Sequence, residues 1–296
     1  MTARVRKTRL APATAAAPAI DWLAADDVAR VIDALRRRRV YRDDPRGEIR
    51  MVQTHFSSVF LTPAFAFKFK RPVDLGFADF RRLARRRHFC REELRLNRRL
   101  AADVYLDVLP LGLRLGRWTV GADAPVLDYM VVMRRLPEAH MMDAMVRAGT
   151  VGEAHIARLA RLLARFHARP PRKRNIADFG APALLRENWD ENFRQVEPYI
   201  GRTLDRATFD AVRARVEGFM AAHGALLAGR VREGRIRDGH GDLRCEHILL
   251  EAELRIIDCI EFNERFRYGD VANDLAFLLM DLVALGRPDL GQALLG

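Results

Sequence analysis

The sequence is short of cysteine, of lysine and of long apolar runs, and each shortage excludes a class of protein. Its three cysteines, Cys90, Cys245 and Cys259, form no CxxC pair, which argues against a disulfide framework and predicts reduced thiols. No segment reaches the run of about 18 apolar residues typical of a membrane helix, and the N-terminus lacks the apolar core of a secretory signal. We therefore expect a globular, cytoplasmic protein with no membrane association.

Lysine occurs four times among the 51 Lys and Arg residues, at positions 7, 68, 70 and 173. Arginine thus carries nearly all of the positive charge, and the formal net charge of +12 raises the question of nucleic-acid binding. The arginine clusters lack the interleaved aromatic residues that stack on bases. We therefore expect solvated helix faces with weak attraction for polyanions and no specific nucleic-acid partner. Two of the four lysines fall in one short segment, FAFKFK, which indicates a task there that arginine performs poorly.

Composition and periodicity divide the chain into a tail and two regions. Residues 1–20 are rich in Ala, Thr and Pro without a period, which predicts a flexible tail. Residues 21–136 start with helical spacing, continue with two β-rich segments that form a hairpin around Pro63, and then place one long charged helix before further strands. Residues 137–296 are mostly helical. The pattern predicts an α+β fold with a small β-rich N-terminal lobe and a mainly helical C-terminal lobe.

Within the second region, the residues Ile156, Leu159, Leu163 and Phe166 form one apolar stripe, which predicts a helix packed on a core. Residues 183–199 and 205–227 each predict one further helix. The segment DVANDLAFLLMDLVAL, residues 270–285, is apolar almost all round and predicts a central buried helix.

The segments HGDLRCEHILL, residues 240–250, and LRIID, residues 254–258, predict a β-hairpin with an acid at each end. Antiparallel pairing returns the chain, so Asp242 and Asp258 are expected at the same end, with His247 nearby. Two carboxylates at close range repel each other unless a cation lies between them or one takes a proton. Mg²⁺, which binds carboxylates together with phosphate oxygens and water, is the expected occupant, with Mn²⁺ as the alternative.

HGDLRCEH, IIDCIEF and GDVANDLAF together resemble the catalytic segment of the aminoglycoside phosphotransferase family, small-molecule kinases with a protein-kinase-like two-lobed fold. THFSSVFL and KFKRPVDLGFADF resemble a bacterial, uncharacterised branch of that family, over roughly residues 50–285. The resemblance implies that Asp242 is the catalytic base, that His247 and Asp258 bind the metal, and that ATP or GTP supplies the γ-phosphoryl group. A small hydroxyl-bearing molecule is the implied acceptor. Family members usually continue with further helices, so a short form or a fragment is expected.

The resemblance also gives the paired lysines a role. FAFK has the pattern of the kinase strand whose lysine contacts the nucleotide phosphates, so Lys68 is expected to bind them, with Lys70 as the alternative. Glu93 on the following helix is expected to orient that lysine, with Glu92 as the alternative.

Two features depart from the family pattern. His247 stands where the family usually has Asn, which makes the choice of metal an open question. No glycine-rich phosphate loop is present, so the hydroxyls of Ser57 and Ser58 and nearby turn amides are expected to cap the phosphates. Backbone groups of Met133 and Arg135 are expected to contact the nucleotide base.

His240 and Asp274 are expected to support the catalytic loop, because a buried carboxylate needs hydrogen-bond donors such as backbone N–H groups. His167 is expected to pack within its helix. The acids of residues 187–193 are candidates for binding a cationic acceptor. A catalytically idle protein that keeps the fold and binds a nucleotide or a polyanion is the alternative function, favoured by His247 and the missing glycine loop. The residues name neither the acceptor nor an oligomeric state.

Overall fold

The structure, a computed structural model, describes residues 25–41, 47–121, 124–170 and 175–296. The predicted tail, residues 1–20, and two of the four lysines, Lys7 and Lys173, lie outside these ranges. None of the helices within them is long and apolar enough to cross a membrane.

The N-terminal region is built on one six-stranded antiparallel sheet. Its strands are β1 (Arg50–Gln53), β2 (Ser57–Leu61), β3 (Phe65–Lys70), β4 (Tyr105–Arg114), β5 (Arg117–Val120) and β6 (Val126–Arg134). They lie in the order β1-β2-β3-β6-β4-β5. The sequence predicted one β segment before Pro63, whereas the structure has two strands there. A tight turn separates them, in which the Ser57 N–H donates to Thr54 Oγ1 at 3.0 Å.

Two helices cover the two faces of this sheet. On one face α1 (Ala25–Leu35) contributes Val31 and Leu35 to a core that includes Phe67 and Phe69 of β3. On the other face α2 (Leu83–Asn97) contributes Cys90 to a core that includes Ala66 of β3. Because successive strand side chains point to opposite faces, β3 is buried on both sides, and Lys68 and Lys70 share the α2 face with Ala66.

The C-terminal region is mainly helical. Its helices are α3 (Met142–Arg147), α4 (Glu153–His167), α5 (Pro182–Val196), α6 (Arg206–Ala222), α7 (Gly224–Arg232), α8 (Glu264–Arg267), α9 (Val271–Ala284) and α10 (Pro288–Leu295). Two short antiparallel pairs join them: β7 (Ile236–Asp238) with β10 (Tyr268–Asp270), and β8 (Ile248–Leu250) with β9 (Leu254–Ile256). The predicted apolar stripe of α4 is buried. A β-rich region followed by a helical region confirms the predicted α+β class.

Two predictions for this region were wrong in detail. The single helix expected over residues 205–227 breaks at His223, whose φ of −115° lies outside the helical range, so α6 and α7 are separate. The helix expected to be buried all round, α9, buries Leu278 and Leu282 but exposes Met280 by 58% and Val283 by 60%. The reason is its position at the edge of the helical core, where α9 packs against α10 on one side.

Candidate active site

The hairpin of β8 and β9 brings three predicted site residues together at one end. Asp242 lies in the loop before β8, His247 immediately precedes β8, and Asp258 follows β9. The His247 ring lies between the two carboxylates. Its Nδ1 is 3.8 Å from Asp242 Oδ2, and its Nε2 is 3.8 Å from Asp258 Oδ2. Antiparallel pairing therefore places one imidazole between the two acids.

The hydrogen bonds of His247 fix which ring nitrogen is free. Its Nδ1 lies 2.8 Å from the backbone carbonyl of Asp242. A carbonyl only accepts hydrogen bonds, so Nδ1 carries the proton and Nε2 of the neutral ring keeps its lone pair. That lone pair faces Asp258, and an imidazole whose second nitrogen donates to a carbonyl is in the form that binds metals.

Asp258 is held by its backbone and by its side chain. Its φ of +62° is a left-handed conformation that is rare outside glycine and is one mark of a functional site. Its N–H donates to the Tyr105 hydroxyl at 3.1 Å, and its carboxylate lies 2.5 Å from Lys68 Nζ. Burial alone would raise the pKa of Asp258, but the ammonium group of Lys68 holds that pKa well below the usual range. The carboxylate is therefore ionised, and 40% of the side chain remains exposed.

Asp242 has the opposite electrostatic environment. Burial raises the pKa of its carboxyl group above the usual value, although His247 and Arg244 oppose that change. The side chain is 35% exposed. A raised pKa makes the Asp242 carboxylate a stronger proton acceptor than an ordinary aspartate.

His240 and Asp274 hold the loop that carries Asp242. Asp274 accepts the backbone N–H groups of His240 and Gly241, each at 2.9 Å. His167 Nε2 lies 2.9 Å from the same carboxylate, a contact that its predicted packing role did not include. The His240 ring lies 2.8 Å from the carbonyl of Ile257, and burial lowers the pKa of His240 to about 4. The imidazole of His240 is thus neutral and ties the loop to the strand that leads to Asp258.

Glycines on both sides of His240 make this packing possible. A Cβ at Gly239 would lie 2.6 Å from a carboxylate oxygen of Asp274. Gly241 has a φ of +86°, and a Cβ there would lie 2.8 Å from the carbonyl oxygen of Phe266. The loop can therefore approach Asp274 at Gly239 and the Phe266 backbone at Gly241 only because both positions lack a side chain.

The two lysines of β3 occupy different positions. Lys68 Nζ lies between Asp258 and Glu93, 2.9 Å from Glu93 Oε1. Lys70 is fully buried and pairs with Glu93 Oε2 at 2.6 Å and with Glu261. Glu93 thus contacts both lysines, whereas Glu92 pairs with Arg95 at the surface of α2. Burial alone would lower the pKa of Lys68, but Asp258 and Glu93 raise that pKa well above the usual range, so Lys68 is charged.

A cavity of about 240 Å³ extends from Lys68 and Asp258 between the sheet and the hairpin. Its apolar walls come from both regions and are formed by Val59, Leu61, Ala66, Met133, Leu136 and Ile257. Lys70 is absent from the lining. A cavity with apolar walls and with a cation and a carboxylate in its lining has the chemistry that suits a nucleotide.

The four remaining predicted nucleotide contacts differ in position. Met133 and Arg135 line the cavity, but the Arg135 N–H donates to the Ala64 carbonyl at 2.9 Å. Ser57 lies opposite Lys70 in the sheet and shares its face, whereas Ser58 lies opposite Phe69 on the other face. Both hydroxyls are buried and lack a hydrogen-bond partner among the described residues. Neither serine lines the cavity: Ser57 lies on the face of the buried Lys70, and Ser58 faces the core of α1.

Of the acids in residues 187–193, Glu187 and Glu191 form ion pairs with another residue of the chain. Glu191 pairs with Arg265, and Glu187 lies 3.9 Å from the same guanidinium. A cationic acceptor would have to compete with Arg265 for these two carboxylates.

The donor atoms at the end of the hairpin fit a divalent ion completed by phosphate oxygens and water. The fit rests on the ionised carboxylate of Asp258 and the lone pair of His247 Nε2, which face the same space. Across the described parts of the chain, no three His, Cys, Asp or Glu side chains gather into a ready-made metal cage. Mg²⁺ commonly binds one or two protein carboxylates and takes its other ligands from substrate and water, so two protein donors match that mode.

Sequence reasoning missed several residues that organise the site. Tyr105 holds the Asp258 N–H, and Asn97 bridges the Glu93 carbonyl and the Cys259 N–H, each at 2.9 Å. Glu261 pairs with the buried Lys70. The EELRLN spacing, which places Asn97 one helical turn after Glu93, was the one available signal. Nothing in the sequence links Tyr105 to Asp258, which is 153 positions away.

Comparisons with known proteins give one family match and uncharacterised relatives. A sequence model of the phosphotransferase enzyme family matches residues 77–295. An uncharacterised protein of Mycobacterium bovis is 38% identical over 251 residues, which covers 84% of this chain and 48% of that protein. An uncharacterised protein of Mycobacterium tuberculosis matches with the same identity and coverage. The chain thus spans about half the length of the curated relatives that it matches.

Two solved structures are also similar. One is the GDP and kanamycin complex of APH(2")-IIia, with 18% identity and a TM-score of 0.47, covering 83% of this chain and 80% of that one. The other is the aminoglycoside phosphotransferase APH(3'')-Id from Streptomyces rimosus, with 18% identity and a TM-score of 0.45, covering 89% of this chain and 86% of that one.

Proposed function

The chain belongs to the phosphotransferase enzyme family, and from that premise we propose that it transfers the γ-phosphoryl group of ATP or GTP to a hydroxyl of a small molecule. The observation that carries the proposal is the convergence of Lys68, Asp258, His247 and Asp242 at one end of an apolar cavity. A base, a cation and a metal-binding pair at one place are the parts that phosphoryl transfer needs.

In this proposal the nucleoside occupies the cavity and its phosphates point toward Lys68. The ammonium group of Lys68 pairs with the phosphates, and Glu93 keeps it oriented from behind. Asp258 and His247 hold Mg²⁺, with Mn²⁺ as the alternative, and the ion supplies neutralisation of phosphate charge. Binding the phosphates requires Lys68 to exchange its 2.5 Å contact with Asp258, which in turn frees that carboxylate for the metal.

Asp242 acts on the acceptor. Its carboxylate accepts a hydrogen bond from the acceptor hydroxyl, orients that oxygen toward the phosphate and takes its proton as the new bond forms. The raised pKa of Asp242 suits this task. The loop contacts of His240 and Asp274 fix the direction in which Asp242 points.

The experiment that tests this function is a screen with γ-labelled ATP and GTP against a panel of hydroxyl-bearing metabolites and antibiotics. Transfer of label to one acceptor class, dependent on Mg²⁺ or Mn²⁺ and abolished by a chelator, is the expected result. Nucleotide binding without transfer to any acceptor, and without nucleotide hydrolysis, would favour the idle nucleotide-binding alternative. The contact between Lys68 and Asp258 is the observation that supports that alternative, since it keeps both groups occupied.

A further inference from the structure

The buried charges behind the cavity form a continuous row that extends beyond the lysine expected to bind phosphate. Asp258 contacts Lys68, Lys68 contacts Glu93, Glu93 contacts Lys70, and Lys70 contacts Glu261. The signs alternate along the row. The side chains of Lys70 and Glu93 are 0% exposed and that of Glu261 is 3% exposed, whereas Asp258 at the other end is 40% exposed. The row therefore runs from the interior to the cavity.

We propose that Lys70 and Glu261 are positioning residues of the nucleotide site: they fix the second oxygen of Glu93 so that its first oxygen stays available to Lys68. This inference rests on the proposed function, because it assigns Lys68 to the nucleotide phosphates. It extends that function by assigning roles to Lys70 and Glu261, neither of which lines the nucleotide cavity.

Lys68 and Lys70 share the carboxylate of Glu93. Its Oε1 lies 2.9 Å from Lys68, and its Oε2 lies 2.6 Å from Lys70. A buried ammonium group needs a carboxylate to offset its lost hydration, so two lysines that share one carboxylate compete for it. Glu261 removes the competition because it supplies Lys70 with a carboxylate of its own.

The charge count leads to the same conclusion. The row has two lysines and three carboxylates, and the unbalanced negative charge lies at Asp258, where a divalent ion is expected. Without the charge of Glu261, the row becomes neutral and Lys70 draws Glu93 toward itself. Lys68 then keeps only its present contact with Asp258, so the phosphates and the metal must compete for a lysine and a carboxylate that have no other charged partner among the described residues.

The row also joins the two regions of the fold. Lys68 and Lys70 belong to β3 and Glu93 to α2, while Glu261 follows the hairpin of the C-terminal region. The Asn97 side chain accepts the Cys259 N–H at 2.9 Å close to the same junction. The Lys70 to Glu261 pair therefore sets the position of α2 and β3 relative to the segment that carries Asp258.

A matched control is available on the same helix. Arg86 of α2 and Asp128 of β6 form an ion pair at 2.8 Å with both side chains 0% exposed, and neither residue lines the cavity. Asp128→Asn and Glu261→Gln both remove one buried carboxylate charge from an ion pair and keep the side-chain shape. Both variants should therefore lose stability, and only Glu261→Gln should also change nucleotide affinity. Comparing the two separates these effects.

The test measures nucleotide affinity by calorimetry and the Tm of the ligand-free protein for Glu261→Gln, Asp128→Asn and the double variant Lys70→Met/Glu261→Gln. We expect Glu261→Gln to weaken binding of the Mg²⁺ nucleotide by about three- to tenfold, no more than the loss expected on removing the charge-assisted contact of Lys68 itself. Asp128→Asn should leave affinity unchanged. The double variant should bind more tightly than Glu261→Gln alone, because the competing lysine is gone. Equal affinity in Glu261→Gln and Asp128→Asn, or no recovery in the double variant, overturns the inference.

A second measurement needs no nucleotide and so distinguishes this inference from the proposed function. Lys68 and Glu261 share no ion pair of their own and are linked by Glu93 and Lys70. The Tm shifts of Lys68→Met and Glu261→Gln should then fail to add in the double variant. Additive shifts overturn the inference even if the wild-type protein binds nucleotide. If the wild-type protein binds none, the proposed function fails, and non-additive shifts still support the row as a coupled unit.

Discussion

The two ends of the proposed reaction site satisfy their charges in different ways. At the sheet end, Lys68, Lys70 and Glu93 are at least nine-tenths buried, and each has a partner of opposite charge within 3 Å. At the hairpin end, Asp242 and Asp258 are 35% and 40% exposed, and the imidazole between them is 3.8 Å from each carboxylate. The charges of the sheet end are paired and buried, whereas both carboxylates of the hairpin end are partly exposed to incoming molecules, even though Asp258 also contacts Lys68. The difference suggests that the sheet end holds a nucleotide and the hairpin end carries out the chemistry.

The largest expected effect separates chemistry from binding at the hairpin end. Asp242→Asn should lower the turnover number by about 10² to 10⁴-fold, the range for loss of a positioned general base. The nucleotide dissociation constant should stay the same, because Asp242 does not line the cavity. Turnover on one acceptor and calorimetry with ATP measure the two quantities. Full turnover in this variant would remove Asp242 from the mechanism.

The next effect concerns the metal. Asp258→Asn should weaken Mg²⁺-dependent nucleotide binding by at least about tenfold, or roughly 1.4 kcal/mol, since it removes the charged ligand but keeps the side-chain shape. Calorimetry with and without Mg²⁺ or Mn²⁺ gives the comparison. If both proteins bind nucleotide equally and without a metal, the assignment of Asp258 and His247 as metal ligands is wrong.

A substitution at the sheet end should change mainly the affinity for the nucleotide. Lys68→Ala is expected to raise the nucleotide dissociation constant by roughly tenfold, as expected for one charge-assisted contact worth about 1.5 kcal/mol. Its effect on turnover at saturating nucleotide should be smaller than that of Asp242→Asn. A variant with normal affinity and a low turnover number would reverse the roles of the two ends.

A pH profile tests the same contrast without a mutation. Burial raises the pKa of Asp242 above its usual value, and the base works only when it is unprotonated. The turnover number should therefore fall as the pH is lowered, beginning at a higher pH than an ordinary aspartate would give. His240, with a pKa of about 4, stays neutral above that pH and contributes no change there. A flat profile down to the ordinary range of aspartate would contradict the assignment of the base.

The smallest expected effect comes from a hydroxyl. Tyr105→Phe removes the acceptor of the Asp258 N–H and should cost about 1 kcal/mol of unfolding free energy, together with a small loss of metal-dependent affinity. Tyr41→Phe is the matched control, because the buried Tyr41 hydroxyl donates to the Leu35 carbonyl at 2.6 Å, away from the site. Denaturant unfolding and calorimetry compare them. Equal affinity in both variants would show that Tyr105 contributes only to stability.

The sequence predicted the fold class and the hairpin because these depend on local patterns. Alternation and turn residues predicted β8 and β9, and the spacing of Ile156, Leu159, Leu163 and Phe166 predicted α4. The buried-helix prediction for α9 was wrong, because apolar composition does not specify which face another helix covers. The break at His223 was missed because the sequence there has no proline to end the helix.

For the candidate site, too, local sequence patterns predicted some features, and the tertiary structure alone determines others. The order of Asp242, His247 and Asp258 along a hairpin was sufficient to predict that they meet. The choice between Lys68 and Lys70 was left open, because both lie on one strand face and only the tertiary structure places Lys68 at the cavity and Lys70 behind it. The pair of Lys70 with Glu261 joins residues 191 positions apart, and no local pattern carries that information.

The burial of both β3 lysines has a consequence for chemical labelling. Amine-directed reagents need an exposed ε-amino group, and the two lysines within the described ranges, Lys68 and Lys70, are at most 7% exposed. Lys7 and Lys173 are the other two lysines of the sequence. A nucleotide analogue with an amine-reactive group on its terminal phosphate would place that group beside Lys68, so binding would select this lysine over the other two. In the purified protein, a modified Lys68 peptide that disappears in the presence of excess ATP would report occupancy of the cavity.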